Sequence, residues 1–262
     1  MTNQKQTKNG LILLMIAAII AIQFSACKKS CSEVTTEKLT ITGQINGIII
    51  EGPWEVTVTQ DSIENSALLQ YCSCANISSK ILDNGCLHIK ITNSVNANCR
   101  VFKATIKAYS LEKTEASGAV SIYTHGRFSS LKEITLSGAS TLNGMNSIGT
   151  AAKISLSGAS TLKDFTFNGN SMNAKISGAS TFSGNGYAAQ TNFTCSGASH
   201  IKTLNLESEN LDINLSGASE VQITVNNTIK GSITGASTLK YKNATDVSGV
   251  YVSEESRIIK LN

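Results

Sequence analysis

Beyond residue 110 the apolar positions return on a fixed beat. Around each Ser-Gly-Ala-Ser tetrapeptide, an apolar residue stands one place before the first serine: Leu136, Leu156, Ile176, Cys195, Leu215 and Ile233. Another stands three places before it, at Ile134, Ile154, Ala174, Phe193 and Ile213. A third falls five places after that serine, at Ile122, Leu142, Leu162, Phe182, Ile201, Val221 and Leu239. The −3/−1 alternation has the two-residue period of a strand, not the 3.6-residue period of a helix. Each unit therefore predicts strand, tight corner and strand again.

The beat is regular enough to specify an architecture. The motif opens at Ser117, Ser137, Ser157, Ser177, Ser196, Ser216 and Thr234, with successive spacings of 20, 20, 20, 19, 20 and 18. A repeat of that length has room for about three short strands, and stacked repeats bury a continuous core. The expected fold is an all-β, right-handed parallel β-helix, a solenoid in which equivalent residues lie about 4.8 Å apart.

The segments Ser137-Gly138-Ala139, Ser157-Gly158-Ala159, Ser177-Gly178-Ala179, Ser196-Gly197-Ala198 and Ser216-Gly217-Ala218 are read as a ladder of structural corners. Glycine tolerates the positive φ of a sharp bend, and the alanines are expected to fill its tight inner side. Ala159→Leu should then lower stability more than Thr161→Leu. Cys195, in a leucine position, is expected to be a buried thiol.

Residues 38–112 lack this beat. "LTITGQINGIIIEGPWEVTVTQ" supplies β-branched strand segments broken by glycine and by Pro53. Trp54 is assigned to the core. "SSKILDNGCLHIKI" reads as a hairpin turning on Asn84-Gly85, a favoured two-residue turn, and "VFKATIKAY" follows as another strand.

The segments "NGIIIEGPWEVTVTQ" (46–60) and "ILDNGCLHIKI" (81–91), followed by serial SGAS coils, resemble the head GIN domain of putative auto-transporter adhesins. The resemblance spans roughly residues 38–258. It implies a non-catalytic, adhesin-like or binding role at the cell envelope, and it brings no catalytic residues with it. The flat, Ser/Thr-rich sides expected of the coils are assigned a glycan or a surface protein as partner.

The amino terminus changes the setting. Lys5 and Lys8 precede the apolar run Leu11–Ile22, and Ser25-Ala26-Cys27 closes it. A basic start, an apolar middle and a small-residue end make an export leader. Its last residues resemble a lipobox, with Cys27 as the lipid attachment site and the outer membrane as destination. The chain then divides into a signal peptide (1–26), a linker (27–37), a strand-rich GIN-type region (38–112) and a β-helix with a C-terminal cap (113–262).

Charge and cysteine content narrow the partners. Loss of Lys5 and Lys8 with the leader takes the net charge from +4 to +2. No basic stripe of the kind a nucleic-acid groove needs remains. Export permits disulfides, and Cys72, Cys74, Cys86 and Cys99 are the candidates, with connectivity open. The spacing of these cysteines, without a nearby histidine pair, is poor for zinc. No metal or other cofactor is expected.

The rival function is a carbohydrate-active enzyme, a polysaccharide lyase or hydrolase on a β-helix. Such chemistry needs converging acids and bases. Glu207, Glu209 and Asp212 form the best acidic cluster for that purpose or for calcium. His88, His125 and His200 share no motif spacing, and His200 takes an outward threonine position. Tyr123, Tyr187 and Tyr241 are the candidate exposed aromatic contacts. A regular Thr row for ordered surfaces, at Thr141, Thr161, Thr181 and Thr238, is interrupted by His200 and Glu220.

Overall fold

The computed structural model describes residues 33–41, 43–82, 84–95 and 99–262. The leader, Cys27 and Cys31 lie outside them. In chain order the strands are β1 (Val34–Thr40), β2 (Gly47–Gly52), β3 (Glu55–Gln60), β4 (Ser66–Cys72), β5 (Ile77–Ile81), β6 (Cys86–Ile91) and β7 (Phe102–Ala108). There follow β8 (Lys113–Gly118), β9 (Ser121–His125), β10 (Glu133–Leu136), β11 (Thr141–Asn143), β12 (Asn146–Leu156) and β13 (Thr161–Ile176). The series ends with β14 (Thr181–Cys195), β15 (His200–Leu215), β16 (Glu220–Ile233), β17 (Thr238–Asn243), β18 (Asp246–Val252) and β19 (Arg257–Lys260). All pair into one sheet wound as a β-solenoid of about 7 turns.

From β8 onward the rungs stack in chain order, in register through the corners, with register shifts in the stretches after them, such as Leu162/Phe165 and Thr203/Glu207. Ile134 lies over Thr114 and under Ile154, and Leu136 lies between Ala116 and Leu156. Across the corner, Leu142 sits between Ile122 and Leu162. Every apolar residue of the three repeating columns is buried. Phe165, Phe167, Phe182 and Phe193 add an aromatic cluster with ring centroids 6.0 to 6.4 Å apart. Cys195 takes its leucine place at 1% exposure.

The first rungs are out of chain order. β2 pairs in parallel with β6 on one side and β8 on the other, and β3 is likewise held between β7 and β9. After β1 the chain thus enters the second rung as β2 and β3 and leaves it through β4 and β5. It then lays down the outermost rung as β6 and β7, and steps back over the second rung to begin β8. The outer edge is closed by antiparallel strands: β4 on β7, β1 on β4, and β5 on β6. At the far end β18 pairs only with β16 and β19 only with β17.

The corners are four-residue turns whose middle two residues form the tip. The glycines adopt positive φ, from +69° to +74° at Gly138, Gly158, Gly178, Gly197, Gly217 and Gly235. A Cβ on Gly158 would come within 2.6 Å of the Gly138 carbonyl oxygen, so both φ and close approach require glycine there. Each alanine N–H donates to the glycine carbonyl one rung below, at 2.7 Å from Ala159 to Gly138 and 2.8 Å from Ala179 to Gly158. The backbone ladder therefore continues through the bend.

The alanines do not face inward. Ala139, Ala159, Ala179, Ala198 and Ala218 are exposed at the tip, and the inner position belongs to the second serine of the motif. Ser140, Ser160, Ser180, Ser199 and Ser237 are fully buried, and Ser219 is 1% exposed. The reason is hydrogen bonding. A turn leaves the carbonyl of its first residue facing the bend, and a hydroxyl three residues later can reach it. Ser140 donates to Ser137 O at 2.8 Å, Ser160 to Ser157 O at 2.7 Å and Ser199 to Ser196 O at 2.6 Å. Alanine at that place would leave the carbonyl unanswered.

The same turn occurs at both ends of the ladder in other residues. Gly52 pairs with Gly118, which makes Glu51-Gly52-Pro53-Trp54 the first corner, with Trp54 in the buried place. Ser253-Glu254-Glu255-Ser256 is the last, where the Ser256 hydroxyl donates to Gly235 O at 2.8 Å. The hairpin between β5 and β6 also departs from expectation. Leu82 N–H donates to Cys86 O and Gly85 N–H to Leu82 O, so three residues rather than two make the connection. Gly85 takes φ +75° as the added left-handed residue.

Candidate functional site

The solenoid turns its polar side chains into vertical rows, because every second residue of a rung faces solvent. One row, before the corner, carries Lys113, Glu133, Lys153, Asn173, Asn192 and Asp212 in register. Neighbours in it pair by charge or by amide: Lys153 with Glu133 at 2.7 Å, Asn192 Nδ2 donating to Asn173 Oδ1 at 2.8 Å. Lys230 continues the row and lies 3.5 Å from Asp212. The row after the corner holds Thr141, Thr161, Thr181, His200, Glu220 and Thr238. The Lys240 ammonium, hydrogen-bonded to Glu220 at 2.8 Å, holds that carboxyl below its usual range, with Gln222 assisting.

The acidic cluster read from the sequence does not converge. Glu209 accepts from Asn226 Nδ2 at 3.3 Å and Asn227 Nδ2 at 3.0 Å, while Asp212 turns to Lys230 and Glu207 is exposed. Among the described residues, no group of three or more His, Cys, Asp or Glu side chains is placed to hold a metal ion. His88 lies 2.6 Å from Glu51 in the outer rungs, a pairing the sequence spacing could not show because β2 and β6 meet only through the out-of-order stacking.

Of the candidate disulfide residues, Cys72 bonds to Cys99, and Cys74 is also disulfide-bonded. Cys86 is instead a free, buried thiol. It sits at the start of β6 opposite Gly47, and its burial pushes the thiol pKa up against the opposing pull of Lys113. Burial pushes the Cys195 thiol higher, to about 12. Of the three tyrosines, Tyr123 and Tyr187 are exposed, but Tyr241 is buried on the inner side of β17.

One of several depressions along the solenoid, of about 460 Å³, interrupts the regular flank. It lies where the first corner meets β3, β7 and β9. Trp54 and Phe102 make its floor, edge to face with ring centroids 5.5 Å apart. Its rim carries Arg100, Tyr123 and an ion pair of Lys103 with Glu55 at 3.3 Å. The Trp54 indole N–H is buried with no acceptor. Arg100 is exposed and makes no ion pair among the described residues. Sequence reasoning missed this site, since its residues come from three rungs that are neighbours only through the inserted order.

The profile described as "Putative auto-transporter adhesin, head GIN domain" matches residues 44–245 of this chain. The chain belongs to that family. The match runs from just before β2 to the end of β17, so the head GIN domain here includes both the out-of-order rungs and the SGAS ladder. Similar solved structures include a putative adhesin from Parabacteroides merdae, at 16% identity and a TM-score of 0.77, covering 88% of this chain and 97% of that one. A putative lipid binding protein from Parabacteroides distasonis aligns at 15% identity and a TM-score of 0.77, covering 88% and 98%. A putative adhesin from Bacteroides fragilis aligns at 15% identity and a TM-score of 0.58, covering 87% and 95%. At these identities the likeness is one of fold. None of the curated proteins matches the chain.

Proposed function

We propose that this head GIN protein is a non-catalytic, lipid-anchored scaffold of the cell envelope that binds a surface partner through its polar flanks. The observation that carries this reading is the stack of rungs held in register at every SGAS corner. Its outward residues form rows of Ser, Thr, Asn and paired charges along the flanks. The family's description as adhesins supports a place at the cell surface or envelope and a role in attachment. The dispersal of Glu207, Glu209 and Asp212 into separate hydrogen bonds supports binding rather than hydrolysis or elimination, which need acids and bases held together.

The anchor rests on the Ser25-Ala26-Cys27 ending, and the export it implies agrees with the disulfide between Cys72 and Cys99. The test is to compare cells with and without the protein for adherence to immobilised mucin and envelope polysaccharide, after protease shaving of the intact cells. Adherence that depends on the protein and disappears with shaving is expected. Retention on cells lacking the protein, or release of new reducing ends from the polysaccharide by the purified protein, would reject the reading. Cys27→Ser is expected to release the protein from the membrane fraction.

A further inference from the structure

We infer that the depression over Trp54 and Phe102 is a subsite for a carboxylated sugar, an assignment that rests on the binding role proposed above. Its chemistry is selective in three respects. Tyr123 is 44% exposed in the strand wall of the site, with its ring free to stack on the apolar face of a pyranose. Arg100 offers a planar fork with no anion opposite it among the described residues, the geometry that takes a carboxylate through two parallel hydrogen bonds. Lys103 and Glu55, already paired at 3.3 Å and both about half exposed, supply a donor and an acceptor for ring hydroxyls.

The charge balance favours an acid over a neutral sugar. Two cations and one carboxylate line the site, which leaves one positive charge without a partner. The volume, about 460 Å³, falls within the range of small-ligand sites, and the lining is mostly polar, unlike that of a lipid pocket. The site also lies on the rigid part of the molecule, because β3 is hydrogen-bonded on both sides.

The experiment is calorimetric titration of the intact chain with tetragalacturonate and with 3′-sialyllactose, each against its neutral counterpart, the methyl-esterified tetramer and lactose. Binding of at least one acid, at least tenfold tighter than its neutral form, is expected. Arg100→Ala and Tyr123→Ala should each weaken it tenfold or more, and Lys175→Ala, on a distant exposed position, should not. Both residues are exposed, so neither change should lower the melting temperature. Equal binding of acid and neutral forms, no binding of either acid, or full binding by Arg100→Ala would overturn the assignment. The adherence assay separates the two claims. Adherence by the unaltered protein that binds neither acid removes only this subsite, whereas adherence absent from the unaltered protein removes the binding role itself.

Discussion

At the scale of single residues, the corner turns on which position faces the core. Glycine at the second place and serine at the first were legible from the spacing, since both recur on the beat. The direction of the alanine was not, because a small apolar side chain is equally acceptable inside a bend and at its tip. What decides is the buried hydroxyl of the second serine, which answers the first residue's carbonyl at Ser140, Ser160, Ser199 and Ser219 and a glycine carbonyl one rung below at Ser180 and Ser237. The structure therefore removes the reason for expecting Ala159→Leu to cost more than Thr161→Leu, since Ala159 is exposed and Thr161 half-buried. Ala159→Leu, at an exposed tip, should change stability by less than about 0.5 kcal/mol. Gly158→Ala places a side chain at φ +74° against the Gly138 carbonyl, a strain of about 1–3 kcal/mol. It should lower the melting temperature by roughly 2–4 °C per kcal/mol. Scanning calorimetry of the two variants checks this, and equal melting points would mean that the turn is wrongly oriented. The free thiols give a second residue-scale prediction. Cys86 and Cys195 are buried with raised pKa values. Both should resist an aromatic disulfide reagent at pH 8 in the native protein and react once it is unfolded.

At the scale of elements, the repeat revealed the strands that keep its beat and hid those that do not. The corner Glu51-Gly52-Pro53-Trp54 lacks the serines, and Ser253-Glu254-Glu255-Ser256 lacks the glycine, yet both stack as rungs of the ladder. In each the fourth residue fills the inner place: Trp54 by bulk, and Ser256 with a hydroxyl that answers the Gly235 carbonyl. The order of the first rungs left no trace in the sequence, because strand composition says nothing of which neighbour a strand chooses.

Between rungs, paired charges tune the stack with pH. Lys240 lowers the Glu220 carboxyl, and Lys153 lowers that of Glu133. A carboxyl whose folded pKa lies below its unfolded value contributes stability that is present above the unfolded pKa. That contribution is lost as pH falls through the folded one. Surface pairs of this kind contribute about 0–1 kcal/mol each. Glu220→Gln should thus make denaturant stability fall less between pH 7 and pH 3 than in the unaltered protein. An unchanged acid limb would show that the pair contributes nothing.

At the scale of the molecule, the two ends are finished differently. Antiparallel β1, β4 and β5 cover the outer edge, and the bond between Cys72 at the end of β4 and Cys99 before β7 ties that cover to the outermost rung. The enclosed loop, with a sequence separation of 27, is long enough for the crosslink to stabilise by about 2–4 kcal/mol. Cys99→Ser, measured by denaturant unfolding, should show a loss of that order, and no loss would mean the cover holds without it.

Every functional statement depends on rungs that stack in register with their tips outward. Paired cysteines at two tips test this most directly, because a disulfide forms only between Cα atoms within about 7 Å and rungs lie about 4.8 Å apart. Ala139→Cys with Ala159→Cys, one rung apart, should crosslink quantitatively under mild oxidation of the folded monomer. Ala139→Cys with Ala179→Cys, two rungs apart, should stay reduced. Failure of the first pair to close, or equal closure of both, would contradict the stacking.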